Sequence, residues 1–597
     1  MTATDHPLVA MLVLLFLQIL AGLSLVGMGQ WTSRLPAIAG AGEAGILEMF
    51  WRGLCVVILV AGTWHLFFPA DGTLAALVLA FGLWPWIRNG ARRRRLLAGV
   101  AREGLPFGIL LGLAAFWIAT VSVYRTIDPL YDFGLYYEQT IRWNREFRAV
   151  PGLANLHDRL GFGSGIHLLE GIVNPPALRG RAIGALSALL VLVVGAGCLR
   201  TVIHGIRGGG SGSAKRIEFL VAAITIPGLA ARVALSCAGA PDLAVFVLQV
   251  QAVLFLAGAE GAGQVLSRER VFDTLSCAAA AVAVKLSSVV FSACLSVVVF
   301  FLVIHPPISS ISPISPGEGI RAVMARTWKR TSGGLVFAIV LLVVWSLRGI
   351  VLSGYPLFPA PILRVPVPWA VPMGVAEDGQ ARAIRTWARS PGPGHVERSA
   401  GWTWFMPWAR RNSVLGEFPR AMALVIAAGI AWAVTVPRRG MARDTCDTGD
   451  GAYLAPLLWG VLLVSVVFWF LAAPDPRFAG ACWILLTSLS LRTLAACSSL
   501  RERTLKGVVL IIIVFAIGNY LRGSRWCVQS LLHLEQPPAI PNAVTRAIPV
   551  AGGGIVHVPL EGDRCWNSAL PCSPGIPTGL RFRRQGSLGA GFEDASK

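Results

Sequence analysis

The stretch RTIDPLYDFGLYYEQTIRWNREFRAVPGLANLHDRLGFGSGIHLLEG, from Arg125 to Gly171, gathers carboxylates, two histidines and three tyrosines between strongly apolar runs. Nowhere else is the chain so dense in ionisable and aromatic groups. Asp132, Tyr136, Gln139 and Trp143 fall at i, i+4, i+7 and i+11, so a helix here puts a carboxylate at the head of an aromatic stripe. A carboxylate so placed can take a proton from an attacking hydroxyl. The plainer alternative is an amphipathic helix lying on lipid headgroups, with Asp132 as its N-cap. Pro151, Gly152, Asn155, His157, Asp158 and Arg159 come next as a turn-rich polar cluster that a surface helix does not require, and they read as a binding loop.

Other candidates stand singly at the borders of apolar runs. Asp242 follows Pro241 between two such runs, as a site residue or as the cap of the next helix. Lys285 interrupts an apolar run of about 34 residues, Val271 to Ile304, too long for one ordinary membrane helix, so the spacing predicts a break there. A cation in such a run either faces a polar cavity, for instance to hold a phosphate, or snorkels from a helix end. In APDPRF, Ala473 to Phe478, two prolines end helices; Arg477 can bind phosphate in bidentate fashion or pair locally with Asp475. The proline-dense SGYPLFPAPILRVPVPWAVP offers Tyr355, Phe358, Arg364 and Trp369 as a groove for sugar or isoprenoid, or is a rigid loop. Further on, Trp387, Trp402, Trp404 and Trp408 with Arg385, Arg389, Arg398, Arg410 and Arg411 could stack on sugars or sit at the interface. Cys565 and Cys572, in CWNSALPC, are either a disulfide in an oxidising compartment or two thiols of a polar tail.

These residues must be positioned by membrane helices. The chain has 597 residues, 55% hydrophobic and 14% charged, with mean hydropathy +0.65, too apolar for soluble domains of this length. About thirteen runs can each cross some 30 Å of hydrocarbon. The first, Leu8 to Val26, is preceded by Asp5 and His6 rather than by Lys or Arg and reads as a membrane helix, not a secretory signal. The net charge of +21 would suggest nucleic acid in a soluble protein, but the basic residues cluster between spans, and topology explains them. No nucleic acid is expected as a partner.

Six basic connections belong in the cytoplasm: Arg88 with Arg92 to Arg95; Arg200, Arg207, Lys215 and Arg216; Arg268 and Arg270; Arg326, Lys329 and Arg330; Arg438, Arg439 and Arg443; Arg492, Arg501, Arg503 and Lys506. One alternation accommodates all six, with the N-terminus outside. It divides the chain into membrane helices over 1–124, a first large outer loop over 125–181, a membrane core over 182–352, a second outer loop over 353–419, C-terminal membrane helices over 420–520 and an outer tail over 521–597. No Walker loop, dinucleotide glycine fingerprint, H-E-x-x-H or four-ligand zinc spacing appears, and GGGSGSAK, Gly208 to Lys215, is a flexible linker.

YDFGLYYEQTIRW and VPGLANLHDRLGF resemble a family of bacterial multi-pass proteins that share YD-x-GLYH, a tryptophan and VPGLANLH-x-RLGF. Tyr137 stands where that family has histidine. The resemblance extends through APDL, Ala240 to Leu243; KLS, Lys285 to Ser287; SGYPLFP, Ser353 to Pro359; APDPRF; and CWNSALPC. That family in turn resembles a branch of the GT-C glycosyltransferases, which move a sugar from a polyprenyl-phosphate carrier to an extracytoplasmic acceptor. The resemblance implies an all-α, GT-C-like protein of the bacterial inner membrane with its catalytic face in the periplasm. Asp132 would be the base, Lys285 and Arg477 phosphate contacts, and Tyr136, Tyr137, Trp143, Asn155, His157, Arg159, Asp242, Tyr355 and Asp475 further substrate contacts. The partners implied are the bilayer, a polyprenyl-phosphate-linked sugar and a glycan, lipid or protein acceptor. A divalent cation is a cofactor to test for. The competing expectations are a transporter or flippase for a lipid-linked glycan and a non-catalytic envelope-assembly scaffold.

Overall fold

A computed structural model describes residues 6–34, 44–124, 131–174, 183–207, 213–236, 239–260, 266–305, 320–412, 421–430, 454–498, 502–536 and 538–595. Asp128, Arg181, Arg438, Arg439, Arg443, Arg501 and most of the Gly208–Lys215 linker lie outside the described residues.

Among the described residues, nine helices are long and apolar enough to cross a bilayer, or ten if Gly72–Arg88 and Gly90–Gly99, bent by 92°, form one span. The chain is therefore a polytopic helical membrane protein. Helices Ser213–Ser236, Arg268–Val284 and Cys482–Ser498 pack in the same bundle. Large apolar side chains remain exposed along several spans, Leu113 and Phe515 among them, as lipid-facing surface requires. Helices Pro7–Thr32 and Ile46–His65 can approach closely because a Cβ on Gly29 or Gly53 would fall 1.8 Å or 1.7 Å from the facing carbonyl oxygen.

The expected break at Lys285 is present. Helix Arg268–Val284 ends, Lys285 is extended at φ −155° and ψ 125°, and helix Val289–Ile304 starts after one short 3₁₀ turn. Ser164 donates to the Val284 carbonyl at 2.8 Å, satisfying an acceptor freed by the break.

A second hydrophobic core stands apart from that of the bundle. It joins Phe133, Leu135, Tyr136, Tyr137 and Trp143 of the first loop to Ile540, Val556, Trp566, Leu580, Phe582 and Phe592 of the tail. The tail is thus a folded element. Strands β1 (Thr545–Val550) and β2 (Gly554–Pro559) pair antiparallel, as do β3 (Leu580–Phe582) and β4 (Phe592–Asp594). Cys565 and Cys572 form a disulfide.

The helix that should carry the Asp132 stripe exists, but not in the expected register. Residues Phe133–Tyr137 form a π-helical turn that leads into helix Glu138–Glu146. A π turn carries more residues than an α turn and so rotates the residues beyond it. Asp132 and Tyr136 line a cavity. Gln139 and Trp143 turn to the tail instead, Gln139 donating to the Trp566 carbonyl and Trp143 packing on Phe592.

Candidate functional site

Four helix boundaries meet at one end of the bundle. They are the start of Pro241–Glu260, the break at Lys285, the end of Leu454–Ala472 and the start of Cys482–Ser498. Together with the first loop they enclose a cavity of about 510 Å³, lined by Asp132, Tyr136, Arg159, His167, Lys285, Asp475 and Arg477. Leu286, Val289, Val290 and Phe291 from one helix and Phe468, Trp469 and Ala472 from another form an apolar wall.

Asp132 is the hub. Its Oδ1 accepts from Arg159 Nη1 at 2.7 Å and its Oδ2 from Arg477 Nη1 at 3.1 Å. Asp132 is reached from both sides because the Pro151–Arg159 turn folds back beside it, while the prolines of APDPRF end one helix and expose Arg477. The Asp475 side chain caps the short 3₁₀ turn Pro476–Ala479, accepting from the Arg477 backbone N–H at 3.0 Å. Arg477 Nε also lies 3.4 Å from the Asp475 carboxylate, so the local pair and the cavity contact coexist. Beside it, Lys285 Nζ donates to Asp242 Oδ1 at 2.5 Å and lies 4.1 Å over the Phe478 ring. Asp242 sits within the first helical turn after Pro241, and its carboxylate serves Lys285.

Three carboxylates and three cations therefore lie in two neighbouring groups, Lys285 with Asp242 and Arg159, Asp132, Arg477 and Asp475, with Lys285 and Arg477 both over the Phe478 ring. Burial disfavours the Arg477 charge, but Asp242, Asp475 and Asp132 outweigh it and hold its pKa above the ordinary value. Burial pushes the phenols of Tyr136 and Tyr137 up, which keeps both protonated. Such a cluster can receive a phosphate by exchanging carboxylate partners for phosphate oxygens. It does not fit a resident divalent cation. Each of the three carboxylates already faces an arginine or lysine, and among the described residues no three His, Cys, Asp or Glu side chains gather into a metal site.

Of the residues the sequence nominates, Asp132, Tyr136, Arg159, Lys285, Asp475 and Arg477 line the cavity, with Asp242 paired to one of them. Tyr137, Trp143, Asn155, His157 and Tyr355 lie away from it. Tyr137 packs its ring on His167, centroids 4.9 Å apart. Trp143 belongs to the core shared with the tail. Asn155 donates to the Trp369 carbonyl at 2.9 Å, bracing two loops. His157 is set beside Asp158, and burial lowers its pKa to about 4. Tyr355 is fully buried and donates to the Val371 carbonyl. The shared motifs nominate these aromatic and polar side chains, but their contacts run to neighbouring loops and to the tail.

Other lining residues carry weaker sequence signals. His167 is 1% exposed, its Nε2 has no partner, and burial together with Arg348 lowers its pKa to about 3, leaving a neutral ring. Gln380, Arg385 and Trp387 enter from the second loop, and Gln380 donates to Asp158 at 2.6 Å. Arg385 and Trp387 belong to the arginine- and tryptophan-rich stretch of the sequence. Trp402, Trp404 and Trp408 cluster instead with Phe405 and Phe470.

Fold and site together define a polytopic helical membrane protein with a charged, apolar-walled cavity at one end of its bundle. Over residues 11–484 the chain matches the model of the family described as Domain of unknown function (DUF8201), and it belongs to that family. No curated protein and no solved structure matches it.

Proposed function

We propose that the protein is a GT-C-like glycosyltransferase of the bacterial inner membrane, which moves a sugar from a polyprenyl-phosphate donor to a periplasmic acceptor. The observation that carries this reading is the meeting of Asp132, Arg159, Lys285 and Arg477 in a single cavity whose other wall is apolar. The cations suit the carrier phosphate and the apolar wall suits the isoprenoid. The donor phosphate draws Arg477 towards itself and leaves one Asp132 oxygen to the acceptor hydroxyl. That oxygen takes the hydroxyl proton as the new glycosidic bond forms. The bond from the anomeric carbon to the phosphate oxygen breaks, and polyprenyl phosphate leaves with the electron pair, its charge met by Arg477 and Lys285.

In this reading the basic connections between spans stay in the cytoplasm, and the start of the chain, the first and second loops and the tail lie outside. That alternation puts the tail on the same face as the start of the chain and makes the cavity periplasmic. One observation favours the runner-up, a carrier that holds a lipid-linked glycan without cleaving it: both oxygens of Asp132 are engaged by arginines. Asp132→Asn separates the two. A transferase loses product and retains lipid binding, a carrier keeps moving the lipid, and a scaffold is indifferent. Transfer by the variant at the wild-type rate removes Asp132 as the base.

A further inference from the structure

The motif CWNSALPC is not part of the cavity, and the family match ends at residue 484, well before it. Its contacts nevertheless run to the turn that carries Asp132. Trp566 N–H donates to the Gly134 carbonyl at 2.8 Å. Gln139 Nε2 donates to the carbonyls of Trp566 and Ser568 at 2.9 and 3.0 Å, and Arg142 Nη1 to those of Asn567, at 3.1 Å, and Ser568. The Trp566 indole lies so close over Gly134 that a Cβ there would be 2.7 Å from the ring, so only glycine admits it. Just ahead of the motif, the Asp563 carboxylate accepts from the Tyr131 hydroxyl, and Arg564 stacks 4.7 Å over Trp566.

Residues 131–142 are thus gripped from one side by the tail, through Asp563, Trp566, Asn567 and Ser568, and from the other by Arg159 and Arg477. Three of the grips are main-chain carbonyls of Trp566, Asn567 and Ser568. Carbonyls hold a fixed direction only if their backbone does, and all three lie inside the ring closed by Cys565 and Cys572. The Asp132 carboxylate must in turn be held in place to meet two arginines at once.

We propose that the disulfide-closed loop Cys565–Cys572 is a positioning element for the Asp132 turn, with Trp566 as its positioning residue, so that the site is assembled only when this pair of thiols is oxidised. The consequence for catalysis rests on Asp132 being the working carboxylate. Reduction by dithiothreitol gives two electrons and two protons to the S–S bond, yields two thiols and converts the reagent to its cyclic disulfide. The loop then opens and the three carbonyls lose their common direction.

The test uses the full chain in lipid nanodiscs, with and without dithiothreitol. Deuterium exchange at residues 131–146 is expected to rise at least about tenfold on reduction, with helices Pro241–Glu260 and Arg268–Val284 unchanged. Sugar transfer from a polyprenyl-phosphate donor is expected to fall by about tenfold or more while polyprenyl-phosphate affinity holds, and reoxidation is expected to restore it. The Cys565→Ser, Cys572→Ser double variant should match the reduced protein and ignore the reductant; Trp566→Ala should raise exchange at 131–146 in the oxidised protein, and Trp566→Phe, which keeps a ring over Gly134, should restore most of the protection. Unchanged exchange at 131–146 overturns the proposal whatever the protein catalyses. Raised exchange with an unaltered rate overturns the link to Asp132. Absence of transfer by the oxidised wild type sinks the transferase reading, and the exchange result still decides the positioning claim.

Discussion

Arg52 Nε meets Asp273 at 2.5 Å towards the starts of two bundle helices, and Arg159 meets Asp132 at 2.7 Å at the cavity. The chemistry is the same, but the surroundings differ. Arg52 and Asp273 are 3% and 1% exposed, lock together in two parallel bonds, and lie about 18 Å of helix away from Lys285. Neither carboxylate oxygen is open to exchange, so the pair fastens helix Ile46–His65 to helix Arg268–Val284. At the cavity the side chains of Arg159, Asp132 and Arg477 are 29%, 14% and 45% exposed, and Arg477 divides itself between two carboxylates. A divided, half-exposed cation can be drawn away by a competing anion. What separates a fastener from a site is therefore access and divided partnership, not bond length.

The contrast breaks most readily at Arg52. Arg52→Met leaves Asp273 buried and unpaired and is expected to destabilise the fold by about 3–5 kcal/mol, with Arg52→Met, Asp273→Leu recovering most of it. Thermal unfolding in detergent reads both, and a mild single variant would mean that the pair does not fasten the bundle. Asp132→Asn should show the opposite pattern, a fall of about 10²–10⁴ in product formation with little change in melting.

Glu138 supplies a third condition, a carboxyl 4% exposed with no ion pair among the described residues. Burial raises its pKa from 4.5 to about 7, although Arg142 and Arg145 pull the other way. A raised acid means that the folded state holds a proton which the unfolded state has released. The associated stability is present below pH 4.5 and lost as pH rises towards about 7. The melting advantage of Glu138→Gln over wild type should therefore widen between those pH values and level off at about 3 kcal/mol. A constant gap would mean that Glu138 stays ionised in the fold. The smallest effect is expected for Arg477→Gln, which should weaken polyprenyl-phosphate binding by about 1.5–3 kcal/mol in a titration. Unaltered affinity would reassign the phosphate to other groups.

The sequence made the cavity legible where a charge stood against its surroundings. Lys285 in an apolar run, Arg477 directly after two prolines and Asp132 at the head of an aromatic stretch are costly placements in lipid or at its border, and all three meet. Arg52 and Asp273 are equally costly placements inside apolar helices, but Arg232 and Arg348 stand in such helices too, so the sequence did not say which charges would pair. The orientation of Gln139 and Trp143 was not legible, because an α-helical period cannot foresee the π turn at Phe133–Tyr137. Nor was the clasp between that turn and the tail, which joins residues more than four hundred positions apart through backbone carbonyls that any side chain could carry. Only the spacing of the two cysteines hinted that the tail had a fixed shape.

The central claim is that Asp132 takes the acceptor proton in a cavity that holds a polyprenyl-phosphate sugar. It is tested most directly by mass spectrometry of polyprenyl-phosphate-linked sugars in membranes carrying wild type or Asp132→Asn, with the lipid bound to each purified protein measured in parallel. Wild type should consume such a donor, and the variant should bind it as tightly and leave it unconsumed. Equal consumption by both, or no donor bound by either, would contradict the account.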